Sequence, residues 1–251
     1  MPRQKPLRRY GENAALAHQL AGTRQAFDEF ATIVAHDLGA PLRSIAGFSQ
    51  LLEEKCRLLL DEKTLRYIDV ISENSRKLQA RLAGLLQYSR LGTVPLMLKA
   101  VDCQTAARHC LEQLKDKIEE REALLRVGPL PQVTGDGDRL GLLLYALCDN
   151  ALKFCARRPE VDIMARRSLK AWVFSVRDNG IGIAPKHHQV IFDVFRRLHP
   201  EEAYSGTGMG LALAHRIAAL HGGMIWVESR EGMGATFLFT IPDAAANTGT
   251  A

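Results

Sequence analysis

The chain has 251 residues, 47% hydrophobic and 24% charged, which is enough for one or two packed cores and excludes wholesale disorder. Its 33 basic and 28 acidic residues leave a net charge of +5, most of it carried by Arg3, Lys5, Arg8 and Arg9. A nucleic-acid footprint across the fold is therefore not expected. The longest uninterrupted apolar stretch runs from Leu142 to Cys148, far short of the roughly 18 residues of a membrane span.

The N-terminus has no apolar leader, so secretion through such a signal is not expected. Residues 1–24 read as a basic, solvated tail or linker; contact with a membrane surface or nucleic acid is the alternative. The five cysteines are odd in number and form no CxxC pair, so they read as free thiols in a reducing, cytoplasmic setting. The eight histidines show no HExxH spacing, and the adjacent pair His187-His188 reads as a surface loop.

Helical periodicity dominates up to about residue 95. Ala31, Val34, Leu38, Pro41, Ile45, Phe48 and Leu52 are spaced by threes and fours and predict a helix from about Phe27 to Leu60 with one apolar seam. A turn is expected at Asp61-Glu62. Ile68, Ile71, Ser75, Leu78, Leu82, Leu85 and Ser89 then predict a second helix, stopped by Gly92 and Pro95. A lone hairpin buries little, so residues 25–93 are expected to pair with a second copy as a homodimeric four-helix bundle.

Residues 94–242 change character. Cys103–Glu122 and Asp138–Phe154 read as helices, and Val161–Arg167 and Ala171–Asp178 as strands. A helix follows over Gly208–Leu220, then strands over Gly223–Ser229 and Ala235–Ile241. This predicts an α+β domain with helices packed on a mixed sheet. Residues 243–251 read as a frayed tail.

Four features could carry chemistry. His36 falls on the helix face away from the seam, and Asp37 beside it can take an imidazole proton, leaving the other ring nitrogen a better nucleophile. Pro41 would bend the helix nearby. Asn150 and Lys153 share one helix face; an amide oxygen can ligate Mg²⁺ and a lysine can meet a phosphate. Asp178 ends a strand in Asp178-Asn179-Gly180-Ile181-Gly182, where its carboxylate could accept the exocyclic amine of adenine. Gly206-Thr207-Gly208-Met209-Gly210 opens a helix and can present N–H groups to phosphate. Each has a plain structural reading: a surface histidine, a polar helix edge, a strand-ending turn, a glycine loop. No Walker motif or protein-kinase motif set is present.

Taken together and in order, these segments resemble the catalytic core of sensor histidine kinases of two-component signalling, over roughly residues 25–242. Val34-Ala35-His36-Asp37-Leu38-Gly39-Ala40-Pro41-Leu42 resembles the histidine box. Leu147 to Phe154 resembles the N box, Asp178 to Gly182 the first glycine box and Ile191 to Arg197 the phenylalanine box. Gly206 to Leu211 resembles the second glycine box, and Gly232-Met233-Gly234-Ala235-Thr236 a further glycine motif. Phe195–Leu213 is similar to the phytochrome-like branch.

The resemblance implies a helical phosphotransfer and dimerisation hairpin, followed by an α+β sandwich of the gyrase, Hsp90 chaperone, histidine kinase and MutL superfamily. It implies ATP bound by Asn150, Lys153, Asp178, Gly180, Gly182, Arg197, Thr207, Gly208, Gly210, Leu211 and Thr236, with Mg²⁺ on Asn150. Residues 185–206 would form a lid with Phe192 and Phe195 packing in it. His36 would attack the γ-phosphorus with Asp37 as base. The phosphoryl group would pass to an aspartate of a separate response regulator, since no receiver segment is found here. Input would come from a separate sensor protein or domain, unless the chain is a piece of a longer sensor.

Three departures from the family pattern stand out. Ala146 replaces the Asn or Glu often found four residues before the metal-binding Asn, which would weaken metal or water positioning. Ala40 replaces the Thr or Asn that often supports phosphatase activity, so little of that activity is expected. No sensor segment precedes Phe27. Two other readings compete: a phosphotransfer docking module with a decayed ATP domain, for which only Ala146 speaks, and a gyrase- or chaperone-type ATPase, which the exposed His36 disfavours.

Overall fold

The computed structural model describes residues 5–200 and 203–243, with side chains described from Gly22 onward except at 24 and 25. The chain divides into two compact units, Met1–Pro95 and Leu96–Ala251.

The first unit is a helical hairpin. Helix α1 spans Lys5–Cys56 and α2 spans Glu62–Thr93. The helix thus reaches back through the segment read as a basic tail, to Lys5; Arg3 lies outside the described residues. Asp61 caps α2 by accepting a hydrogen bond from the Thr64 N–H at 2.7 Å, which satisfies one of the orphan donors of the first turn.

The single seam expected for α1 is corrected by the structure. Within the hairpin α1 buries Asp28, Ala31, Ala35 and Ser49, whereas Leu38, Ile45, Phe48 and Leu52 stand exposed. Small residues line the intrachain interface because they let the two helix backbones approach closely. Hydrogen bonds stitch it: Ser89 Oγ donates to the Asp28 carbonyl at 2.6 Å and Gln79 Nε2 to the Leu42 carbonyl at 3.1 Å. On α2 the expected seam splits in the same way. Ile68, Ser75, Leu82 and Ser89 are buried at a seven-residue spacing, while Ile71 and Leu78 are exposed. The hairpin therefore has one polar-stitched inner face and one open apolar stripe.

The second unit is α+β. Its elements are β1 (Lys99–Asp102), α3 (Cys103–Gln113), α4 (Lys115–Glu120), β2 (Leu124–Val127), β3 (Gln132–Gly135), α5 (Gly137–Lys153), β4 (Glu160–Arg167), β5 (Ala171–Asp178), α6 (Gly210–Leu220), β6 (Ile225–Ser229) and β7 (Ala235–Pro242). Two 3₁₀ turns, Pro185–His187 and Val190–Phe192, lie between β5 and α6. The main sheet has the order β2-β4-β5-β7-β6, with only β2 and β4 parallel; β1 and β3 form a separate antiparallel pair.

One sheet face carries the core. Register places Ile163, Val176, Phe237 and Val227 in one row, and Phe174 stacks on Phe239 with ring centroids 4.8 Å apart. Helices α5 and α6 cover this face with Leu140, Leu143, Leu144, Leu147, Ala214 and Ile217, all buried. The apolar periodicity of α5 made that helix readable; the four-residue strands β1, β2 and β3 were too short to show alternation. The stretch read as one helix over 103–122 breaks at Leu114. Asp243, read as the start of a frayed tail, is tied down: its carboxylate accepts two hydrogen bonds from Arg167 at 2.7 and 2.6 Å. Residues 244–251 lie outside the described part.

Both tryptophans, Trp172 and Trp226, sit in the second unit, so their fluorescence reports its unfolding alone. Leu147 is fully buried, so Leu147→Ala should cost about 2–5 kcal/mol in urea unfolding. Leu169, 98% exposed at the β4–β5 tip, should tolerate Leu169→Ser within about 0.5 kcal/mol. A larger loss at Leu169 than at Leu147 would contradict this core.

Candidate functional site

His36 belongs to the first unit. The inner face of α1 runs through Ala31 and Ala35, which turns the next residue outward: the His36 side chain is 87% exposed. Its Nδ1 lies 3.1 Å from Asp37 Oδ1. An ionised carboxylate only accepts hydrogen bonds, so this geometry assigns the proton of a neutral ring to Nδ1 and leaves the Nε2 lone pair facing solvent. Pro41 lies inside the helix. It has no N–H, so the carbonyl of Asp37 loses its usual helical donor.

The other candidate residues belong to the second unit. Asn150 and Lys153 lie in the last turns of α5, half-buried. Asp149, the residue before Asn150, is paired with Lys117 of α4. The Lys153 ammonium sits 4.7 Å from the Phe154 ring centroid, a favourable cation–π distance. Ala146, one turn before Asn150, packs against the start of α6: a Cβ added to Gly210 would lie 3.7 Å from its own.

Asp178 ends β5. Its Oδ1 accepts two backbone hydrogen bonds, from Gly180 N at 2.8 Å and Ala235 N at 3.0 Å. Oδ2 makes none among the described residues, so one oxygen is fixed and the other available. Burial pushes this carboxyl above its ordinary range, and the two backbone donors oppose that shift. Glycines close in around it because no side chain fits. A Cβ on Gly180 would collide with the Phe154 carbonyl, one on Gly182 with the Arg230 carbonyl, and one on Gly234 with the carbonyl of Asp178 itself. Gly182 and Gly234 also hold φ of +70° and +78°, where a Cβ is strained in any case. Thr236 follows in β7, directly opposite Arg177.

The second glycine segment leads into α6. Gly206 and Gly208 hold φ of +141° and +74°. Thr207 Oγ1 accepts from Met209 N at 3.3 Å. The cap residue Met209 makes no side-chain hydrogen bond, so the first turn through Gly210 and Leu211 keeps its N–H groups for another acceptor. Arg197 is turned to the loop backbone, donating to the carbonyls of Gly206 and Tyr204. Phe192 packs on His215 at 5.7 Å, whereas Phe195 is exposed at a φ of +62°.

The structure thus gathers the α5 end, the Asp178 turn, the start of β7 and the loop into α6 within one unit. His36 and Asp37 stand on the other. Sequence reasoning missed three members. Asn179 was read only as part of a glycine box, and Tyr204 and His199 pack on Phe154 at 4.9 and 6.3 Å. The repeated Asx-Gly turn signal could have pointed to Asn179; nothing local announced the aromatic trio.

Because burial raises the Asp178 pKa, the folded chain holds that proton more tightly than the unfolded one. Stability is therefore lost as pH rises from the ordinary 3.8 through the raised folded value. Asp178→Asn removes this loss. The Tm of Asp178→Asn should gain on that of the wild type as pH rises through that window; a gain for the wild type instead would contradict the buried carboxyl.

Comparison with known proteins agrees with this division. Residues 28–93 match the His Kinase A (phospho-acceptor) domain, and residues 135–245 match the family described as histidine kinase-, DNA gyrase B-, and HSP90-like ATPase. Cyanobacterial phytochrome A of Nostoc sp. is 39% identical over 94% of this chain and 31% of its own length. Phytochrome-like protein Cph1 of Synechocystis sp. is 38% identical over 94% and 32%, and sensor histidine kinase ZraS of Escherichia coli 31% identical over 95% and 48%. The chain therefore spans about a third of the length of the phytochromes it matches. Among solved structures, full-length ShkA in complex with AMPPNP superposes with a TM-score of 0.66 at 29% identity, covering 85% of this chain and 45% of ShkA. A phospho-acceptor domain followed by an ATPase domain of this kind, with phytochromes and a sensor histidine kinase among its relatives, places the chain in the sensor histidine kinase family, as a catalytic core similar to that of the phytochrome-like branch.

Proposed function

We propose that this chain is an ATP-dependent protein-histidine kinase core that phosphorylates itself on His36 and passes the phosphoryl group to an aspartate of a separate response regulator. The observation that carries the reading is the exposed His36–Asp37 pair on a phospho-acceptor hairpin, in the same chain as an ATPase-type site.

In this reading the free Oδ2 of Asp178 accepts the exocyclic N–H of adenine, and Gly180 and Gly182 let backbone approach the base. The open N–H groups at Gly208, Gly210 and Leu211, with Thr207, face the phosphates. Lys153 and Arg197 supply positive charge once they leave their present partners, and Thr236 lines the base end. The α5 edge fits Mg²⁺. Among the described residues no cluster of three His, Cys, Asp or Glu side chains could hold a metal alone. A magnesium ion takes one or two protein ligands and completes its shell with phosphate oxygens and water; Asn150 offers one amide oxygen, and Ala146 none. When bound, the ion neutralises charge on the β- and γ-phosphates.

The chemistry at His36 balances simply. Nε2 forms a bond to the γ-phosphorus as the bond to the β-phosphate oxygen breaks, and ADP leaves. The imidazolium that would result gives its Nδ1 proton to Asp37. In-line placement and charge neutralisation provide most of the rate.

The open stripe of Leu38, Ile45, Phe48, Leu52, Ile71 and Leu78 supports a homodimeric four-helix bundle. No helix among the described residues is long and apolar enough to cross a membrane. A cytoplasmic setting, and input from another sensor protein or domain, complete the proposal.

With γ-labelled ATP, the wild-type chain should acquire acid-labile, base-stable label, and His36→Gln should stay at background. Asp178→Ala should weaken ATP binding by about 10- to 150-fold, the equivalent of one hydrogen bond to a charged group. No label on the wild type would overturn the kinase reading. Sedimentation should show a dimer that Ile45→Asp shifts toward monomer; a wild-type monomer at micromolar concentration would remove the bundle.

A further inference from the structure

Helix α5 ends at Lys153, and β4 begins at Glu160. The loop between them must hold the helix end at a fixed distance from the Asp178 turn. Its own backbone makes few bonds to do so: Phe154 N closes the helix on Asn150 O at 2.9 Å, and the Pro159 carbonyl faces Leu124 N of β2 at 2.8 Å.

Arg121 donates to the Cys155 carbonyl and Arg158 to the Glu122 carbonyl, on the α4–β2 side; on the Asp178 side the ties come from the side chain of Asn179. Its Oδ1 accepts from Glu160 N at 2.9 Å and from the buried Cys155 thiol at 3.2 Å. Its Nδ2 donates to the Arg158 carbonyl at 3.1 Å. Its backbone carbonyl accepts from the Arg157 guanidinium at 3.3 Å. On the next residues, Ile181 N donates to the Phe154 carbonyl at 2.9 Å, and Gly180 leaves room for that carbonyl. One amide thus ties the start, middle and end of the loop to the residue beside Asp178. Both its donor and its acceptor are used, so neither Asp nor Ala can replace it fully.

We propose that Asn179 is a positioning residue for the nucleotide: it sets the separation between the base acceptor Asp178 and the phosphate-facing end of α5. The proposal rests on the assignment of Asp178 to adenine and of Asn150 and Lys153 to the phosphate end. ATP spans both ends and needs them in register, whereas adenosine needs only the base end. Losing the tie therefore penalises ATP more than adenosine, because the second contact of a ligand held at two points gains from the first only when the geometry is kept.

The test is calorimetric titration of the full chain with ATP plus magnesium and, separately, with adenosine. Asn179→Ala should reduce ATP affinity roughly tenfold more than adenosine affinity. Asn179→Asp, which keeps the acceptors and loses the donor, should fall between it and the wild type. If Asn179→Ala does not fold, Asn179→Asp carries the same comparison. Equal losses for both ligands, or a lower Tm with unchanged affinities, would mean that Asn179 only supports the fold, and would overturn the proposal. Asp178→Ala, run in parallel, should weaken adenosine binding by about the same 10- to 150-fold as ATP binding, because both lose the same base contact. Adenosine affinity unchanged in Asp178→Ala would instead strike the adenine assignment itself, and the positioning role with it.

Discussion

The second unit depends on backbone meeting backbone where no Cβ fits. The carbonyl of Phe154 reaches the strand-end turn only because residue 180 is glycine. The β6–β7 turn reaches the same place only because residues 182 and 234 are glycines. These approaches bring the Ala235 N–H onto Asp178, whose Oδ1 is thereby committed to Gly180 and Ala235. A carboxylate with one oxygen locked and the other open is a directional acceptor. Its partial burial raises the cost of leaving that second oxygen unpaired, which favours a ligand that donates to it.

The first unit solves a different problem. Two long helices need contact along their length, yet His36, the phospho-acceptor of the proposed reaction, must remain in solvent. The hairpin meets both needs by dividing its faces. Ala31, Ala35, Ser49 and Ser75 pack inside, larger apolar residues line an open stripe, and His36 points away from the inner face. Asp37, the next residue along, is then placed by helix geometry alone to hold the Nδ1 proton. In the proposed reaction such a histidine needs no pocket; it needs a rigid mount and a neighbour.

Much of this was legible in the residue pattern because the signals were local. The heptad-like spacing announced the two helices, the glycine runs announced a strand-ending turn and a loop before a helix, and the apolar run at Leu142–Cys148 announced the buried helix. What stayed hidden was long-range. Leu38, Ile45 and Phe48 have the same period whether they face α2 or a second hairpin, so periodicity could not say which face was inner. Strands of four residues carry too little alternation, and β2 is defined by its parallel pairing to β4, 36 residues on in sequence at Leu124 and Glu160. The roles of Asn179 and of the trio Phe154, His199 and Tyr204 arise only when distant segments meet.

The central claim is that a neutral His36 with Nδ1 bound to Asp37 takes the γ-phosphoryl group on Nε2. Nitrogen-15 and phosphorus-31 NMR of the full chain after incubation with ATP and magnesium tests it directly, since the two phosphohistidine isomers have distinct couplings. The account predicts phosphorus on Nε2 of His36 and no signal in His36→Gln. Phosphorus on Nδ1, or on any other residue of the wild-type chain with His36 unmodified, would contradict it.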